Sequence, residues 1–170
     1  MHEDDRGVFT EVFREEWDIG VRPIQWNVVR NKAGILRGVH VHLTHWDYLL
    51  IVDGVARIGL HDPRENSPTR GMSRMLDVSG EEIVGLIIPP GVFHGFFFKT
   101  NSMHVYSVSH YWDPIDDEFG CRFDDPNLGM DWGETPPRVS ERDASLPSFP
   151  ALMQEIGHRI HALEITKHQS

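Results

Sequence analysis

Histidine stands out, with 11 copies in 170 residues, several of them clustered. Imidazole changes charge near neutral pH and is a common metal ligand, so a cluster of it marks where chemistry is to be sought. Two stretches carry it. The first runs from Gly34 through Arg37, His40, Val41, His42, His45 and Asp47 to Gly54. The second is Pro89-Pro90-Gly91-Val92-Phe93-His94. In a strand, residues two apart point to one face, so His40 and His42 can look into one interior. Asp47, on the return strand, is placed to join them. The Pro and Gly residues make a tight turn that delivers His94 from elsewhere in the sheet.

The elements that must position these side chains are short and β-like. Runs rich in Val, Ile, Phe and Trp occupy 7–13, 24–30, 35–42, 46–52, 54–60, 83–88, 93–98 and 103–111, with Gly, Pro, Asn and Asp between them. Many short strands at this spacing predict a sandwich or barrel. Asp53-Gly54 reads as a hairpin turn. Residues 113–147 are acidic and loop-like, with Asp113 to Glu118 as a solvated run. Leu152, Ile156, Ile160 and Leu163 recur at helical spacing, and Pro150 suits a first turn. They predict a terminal helix over 150–165 that packs on the barrel or on a partner subunit, with His158 and His161 solvated. His45, at a hairpin end, is expected to be exposed. His61, His104 and His110 are expected on the surface or in the core. Trp26, Trp46, Phe96, Phe97 and Phe98 are assigned to core or subunit interface, and Cys121 is structural.

Composition bounds the partners. Asp and Glu number 26 against 16 Lys and Arg, a net charge of −10. No basic run supports nucleic-acid binding, and the acidic balance disfavours anionic membranes. No apolar stretch approaches the roughly 18–20 residues that span a bilayer. The start, MHEDDRG, lacks the regions of a signal peptide. Cys121 is the only cysteine, so no internal disulfide or thiolate zinc site forms. A cytoplasmic protein is expected.

The histidine stretches resemble the cupin superfamily, small β-barrels with a site in the mouth. Gly, five residues, His-x-His, a spacer, a carboxylate, six residues and Gly match from Gly34 to Gly54, with Asp47 in place of Glu. The Pro-x-Gly-x-x-His core matches at Pro89 to His94, while the motif's final Asn position is Phe98. In metal-binding cupins the three His and the carboxylate hold one divalent ion. Here that set is His40, His42, Asp47 and His94, donors suited to Fe, Mn, Ni or Zn. Other cupins keep one or two of these histidines for acid–base work.

A narrower resemblance covers residues 4–147. Asp5-Arg6-Gly7-Val8-Phe9-Thr10-Glu11, Gln25-Trp26-Asn27, Leu36-Arg37-Gly38-Val39-His40, and Asp62-Pro63-Arg64 with Ser67-Pro68-Thr69 follow in order. Then come Ile88 to Phe96, Tyr106 leading into Tyr111-Trp112, Asp124-Asp125-Pro126 through Trp132, and Ser140-Glu141-Arg142-Asp143. Together they resemble the dTDP-4-dehydrorhamnose 3,5-epimerases. The resemblance implies an all-β cupin jelly roll over 1–147, a C-terminal helix and tail over 148–170, and a homodimer. It implies inversion of carbon 3, carbon 5 or both in a nucleotide-diphospho-4-keto-6-deoxyhexose, with dTDP as the expected nucleotide. His40 is then the base, Asp143 its partner and Tyr106 the acid on the opposite face. Arg37 and His94 would lie near the enolate oxygen. Arg6, Phe9, Glu11, Gln25, Asn27 and Trp112 would contact the nucleotide.

Three positions differ from that family's pattern. Its Lys seven residues before the turn Gly is Asp47, its Gln two past the catalytic His is His42, and its later Tyr is Trp112. The first two changes rebuild the cupin metal set. The leading expectation is an epimerase without a cofactor. One alternative is a cupin isomerase or oxygenase using one divalent transition metal, which competes for His40. The other is a catalytically silent sugar-nucleotide binder.

Overall fold

The structure, a computed structural model, describes residues 2–111, 117–133 and 135–163. Its strands are β1 (His2–Asp4), β2 (Gly7–Phe9), β3 (Gln25–Asn31), β4 (Leu36–Val41), β5 (Asp47–Asp53) and β6 (Val55–His61). They continue as β7 (Ser73–Ser79), β8 (Gly85–Ile88), β9 (Phe93–Phe98), β10 (Ser102–Val108) and β11 (Phe119–Gly120). Helices α1 (Glu141–Ala144) and α2 (Phe149–His161) follow. One antiparallel sheet has the order β3-β10-β5-β8 and the other β11-β4-β9-β6-β7. This is the all-β jelly roll with a short C-terminal helix that the sequence predicts. No helix among the described residues is long and apolar enough to cross a membrane.

The strands form where apolar and polar residues alternate. In β3, Trp26 and Val28 are exposed while Gln25, Asn27 and Val29 turn inward. Strand β5 is buried along most of its length. Its outer face is covered: Tyr48 Oη donates to the Val12 carbonyl at 2.6 Å, and Phe13, Trp26 and Tyr48 form a ring cluster. Trp26 therefore belongs to an outer aromatic layer and itself stays 41% exposed.

Several expectations change. The Asp53-Gly54 turn exists, with Gly54 at φ 78°, where a Cβ would strike Asn101 O and Ser102 Oγ. It makes no hairpin, because β5 and β6 lie in different sheets and the turn carries the chain across. Strand β7 has no matching apolar run in the sequence. It is a half-exposed edge strand paired only to β6, and such edges are polar. Residues 10–13 and 109–111 are outside strands.

Much of the apolar core lies between the second sheet and α2. Leu36, Val39, Val41, Phe93, Phe97, Leu128 and Trp132 meet Leu152, Ile156 and Ile160 there. Leu163 packs on the same cluster beyond the helix end. Ser148 Oγ caps α2 by accepting from Ala151 N, and Pro150 sits in the first turn. His158 is exposed, as expected, and His161 is half-buried beside Glu65.

The Asp62 to Thr69 motif is a lock on the loop after β6. Asp62 accepts from Arg64 N, Nε and Nη2 and from the hydroxyls of Ser67 and Thr69. Arg64 Nη1 then donates to Pro90 O, bracing the turn before His94. Burial opposes its charge, yet these donors hold the Asp62 carboxyl far below the ordinary range.

Two outcomes follow. Ile156→Ala should cost about 2–5 kcal/mol in urea unfolding, since α2 leaves little room to collapse. Asp62→Asn should destabilise by about 1.5–3 kcal/mol near neutral pH. Asp62 has a lowered native pKa, so its contribution is full above the unfolded value and is lost as pH falls. The gap between wild type and variant should therefore narrow between about pH 5 and pH 2.

Candidate active site

A cavity of about 520 Å³ opens between the two sheets, a size ordinary for a small-ligand site. Rungs of the first sheet place its floor. Tyr106 sits opposite Asn27 and Leu49, and Val108 opposite Gln25 and Asp47. The second sheet contributes Arg37, paired across from Phe96, and His40, paired across from His94. The side chains of all these residues line the cavity.

His40 is one fifth exposed, and its Nε2 donates to Asp143 Oδ1 at 2.9 Å. This bond fixes the proton on Nε2 and leaves Nδ1 as the basic nitrogen. Asp143 is buried in α1. Its backbone N–H donates to the Ser140 cap, and Gly38 N–H donates to its Oδ2 at 3.4 Å. Burial opposes its charge, but the His40 bond and these donors keep it below the usual carboxylate range. The β4–β9 pairing shifts register between Gly38 and His40. Such an irregularity re-aims a side chain, and here it accompanies the turn of His40 toward α1.

A second cluster lies deeper. The nitrogens of His42 and His94 and an Asp47 oxygen lie within 4.8 Å of one another. His40 does not join this group, so the alternative four-residue metal set is not brought together; its imidazole is committed to Asp143. His42 Nδ1 donates to Asp117 O at 2.7 Å and His94 Nδ1 to Val92 O at 3.1 Å. Gly91 N–H donates to His42 O at 2.7 Å, tying the turn before His94 to the His42 backbone. Burial pushes His42 down to about 4 and His94 well below its usual value. Burial pushes Asp47 up to about 7.

Asp117 corrects two expectations. It is buried rather than solvated, and its carboxylate accepts from the backbone N–H groups of Leu43, Thr44 and His45, from Thr44 Oγ1 and from His45 Nδ1. His45 is accordingly 3% exposed instead of facing water. Burial disfavours its charge, but Asp117 and Asp47 outweigh that and raise its pKa. Residues 113–116 of the same acidic run fall outside the described residues.

Of the other expected residues, Gln25, Asn27, Arg37 and Tyr106 line the cavity with His40, His94 and Asp143. Asn27 Nδ2 is buried with no hydrogen-bond partner among the described residues, a donor left for a ligand. Burial, then the Asp47 charge, raises the Tyr106 pKa, so its phenol holds its proton. Arg6, Phe9 and Glu11 are not brought to this cavity. The β1–β2 hairpin pairs only with itself, Arg6 is engaged by Asp4, and Glu11 by Arg14. Trp112 lies outside the described residues.

Sequence reasoning missed His104, Glu118, Arg138 and Arg142, which also line the cavity. His104 lies two residues before Tyr106 on β10, so strand alternation gives it the same face. It accepts from Asn31 Nδ2 at 2.9 Å, while Asn31 Oδ1 accepts from Arg37 Nε at 2.8 Å. Burial and the Arg37 charge lower its pKa to about 4. Arg138 precedes the Ser140–Asp143 motif and Arg142 lies within it, paired with Glu118 at 2.7 Å. His61 is buried against Ser73, His110 is exposed, Trp46 is half-buried, and Phe97 and Phe98 are core. Phe96 packs against the Ile51, Ala56 and Phe98 core cluster and also lines the cavity. Cys121 is fully buried, its thiol pushed up to about 12 by burial.

A family profile described as dTDP-4-dehydrorhamnose 3,5-epimerase matches residues 1–151. The chain belongs to this family. The dTDP-4-dehydrorhamnose 3,5-epimerase of Sinorhizobium fredii is 33% identical over 158 residues, covering 86% of this chain and 80% of that protein. The RmlC epimerase of Legionella pneumophila, solved in complex with dTDP-4-keto-L-rhamnose, superimposes with a TM-score of 0.80 at 29% identity, over 90% of this chain and 86% of that one. The 3'-monoepimerase ChmJ of Streptomyces bikiniensis, solved with dTDP-quinovose, gives a TM-score of 0.81 at 28% identity, over 92% and 83%. Members of this epimerase family are isomerases acting on sugar nucleotides, and the jelly roll above is their fold.

Asp117 is the tie that keeps the segment between β4 and β5 closed on the cavity. Asp117→Ala should cost about 3–5 kcal/mol by leaving His45 buried without its partner, read as a lower midpoint in denaturant melts.

Proposed function

We propose that the chain epimerises a dTDP-linked 4-keto-6-deoxyhexose at carbon 3, carbon 5 or both. The observation that carries the reading is the His40–Asp143 pair, a buried carboxylate bonded to an imidazole that lines a cavity of about 520 Å³. A ketone acidifies the C–H bonds beside it. His40 Nδ1 takes a proton from such a carbon, and the C–H electrons move into an enolate whose charge rests on the keto oxygen. Asp143 favours the imidazolium that results. Tyr106, approaching from the opposite sheet, returns a proton to the other face and inverts the centre. Arg37 and His94 are the expected neighbours of the keto oxygen, where charge stabilisation lowers the barrier most.

Arg37, Arg138 and Arg142 supply local positive charge in a chain of net charge −10. They are suited to a diphosphate, and Gln25 and Asn27 to polar groups of the nucleotide. The reading extends to a homodimer. Strand β3 is an unpaired sheet edge with Trp26 and Val28 exposed on its outer face, and Phe9 is 62% exposed. An exposed edge of this kind invites pairing with another chain. In a dimer the β1–β2 hairpin can bring Arg6, Phe9 and Glu11 to the cavity of a second copy. The lone, buried Cys121 and the absence of any basic run agree with a cytoplasmic enzyme that binds no nucleic acid.

Turnover of dTDP-4-keto-6-deoxyglucose, followed by product chromatography, tests the assignment. His40→Asn should lower kcat by about 10²–10⁴, with a smaller loss for Asp143→Asn. Tyr106→Phe should lose epimerised product while still binding substrate. Undiminished turnover in His40→Asn would overturn the assignment.

A further inference from the structure

In the His42–Asp47–His94 cluster, His42 and Asp47 take no part in the proton-transfer chemistry, and the geometry is unusual for three hydrogen-bonding side chains. Both imidazoles give their Nδ1 protons to backbone carbonyls, of Asp117 and Val92. Each therefore presents a bare Nε2 lone pair. Both Nε2 atoms face the same atom, Asp47 Oδ2, at 3.9 Å and 3.8 Å. That oxygen is buried and has no hydrogen-bond partner among the described residues. Two acceptors thus converge on a third. A proton on Asp47 could be given to one nitrogen only, and both separations exceed a hydrogen bond. A cation with bonds of about 2.0–2.2 Å satisfies all three atoms after small side-chain shifts.

We propose that His42, Asp47 and His94 bind one divalent first-row transition-metal ion on the cavity floor, leaving His40 free. Two imidazoles and one carboxylate with open positions suit such ions. Ligand histidines are held in this way, with the second ring nitrogen donating to a carbonyl. His45 completes the surround. It stacks on His42 at 4.0 Å between ring centroids, and its Nε2 lies 3.8 Å from the other Asp47 oxygen. The neighbouring group of His42, His45 and Asp117 is a weaker candidate, because those atoms already hydrogen-bond to one another or to backbone.

The site stands on its own geometry; its catalytic consequence rests on the epimerase reading. The bound ion supplies positive charge at the keto oxygen, at the position where the family pattern has Lys and this chain has Asp47. The Lys-to-Asp and Gln-to-His differences then form one coordinated exchange, an ammonium replaced by a metal.

Elemental analysis of the full-length protein as purified should find one equivalent of Fe, Mn, Ni, Co or Zn per chain. After chelation, titration with Co²⁺ should restore one saturable equivalent with visible d–d absorption. Asp47→Asn, isosteric and checked for folding by circular dichroism, should weaken Co²⁺ binding roughly 100-fold, and His94→Gln should do the same. His110→Asn, at an exposed position, should bind as wild type does. Failure of the chelated wild type to take up Co²⁺, or unchanged binding in folded Asp47→Asn, would overturn the site. Metal bound without epimerisation supports the site and counts against the epimerase reading. Epimerisation by protein that neither contains nor binds metal does the opposite.

Discussion

The hydrogen bond from His40 Nε2 to Asp143 is the constraint on which the site depends. It decides which imidazole nitrogen is basic, and it holds the ring away from the neighbouring histidines. Its geometry comes from parts of the chain far apart in sequence. Strand β4 carries His40, while α1 carries Asp143 and begins at the Ser140 cap. Arg138 bridges beside Ile35, its backbone bonded to Gly34 and Leu36, so the segment leading to α1 is laid along the start of β4. A rigid approach of this kind is what proton transfer requires, since a small misplacement costs rate steeply.

Around that pair, buried carboxylates fasten the loops. Asp117 gathers the backbone N–H groups of the segment between β4 and β5, and Asp62 gathers the loop after β6. Both are buried charges made tolerable by several donors each. Through Arg64 and Pro90 the second of these also steadies the turn that delivers His94. The Asp62-Pro63-Arg64 and Ser67-Pro68-Thr69 stretches therefore act on architecture, one step removed from chemistry.

The fold was legible because strand alternation and the Leu152–Ile156–Ile160 stripe are local patterns that burial enforces. The His40–Asp143 pair and the place of Tyr106 on the cavity wall were legible from motifs whose spacing matches the family. Other features depend on partners distant in sequence. Nothing near His45 announces that Asp117 will bury it, and nothing in the acidic run separates Asp117 from the other carboxylates around it. Polar β7 carries too little apolar pattern to be read as a strand. Asp53-Gly54 shows that the chain turns, but not that the turn changes sheets. Alternation placed His40 and His42 on one face, and a register irregularity with a partner in α1 then divided their roles. His104, Arg138 and Arg142 were within reach of the same rules, applied one step further along the chain.

Incubation with a 4-keto-6-deoxyhexose sugar nucleotide in heavy water, followed by proton NMR of the recovered sugar, tests the central claim most directly. Abstraction by His40 requires deuterium to enter at carbon 3, carbon 5 or both, in step with inversion and dependent on His40. Inverted product that keeps its original hydrogen at those carbons, or wash-in that survives loss of the imidazole, would contradict it.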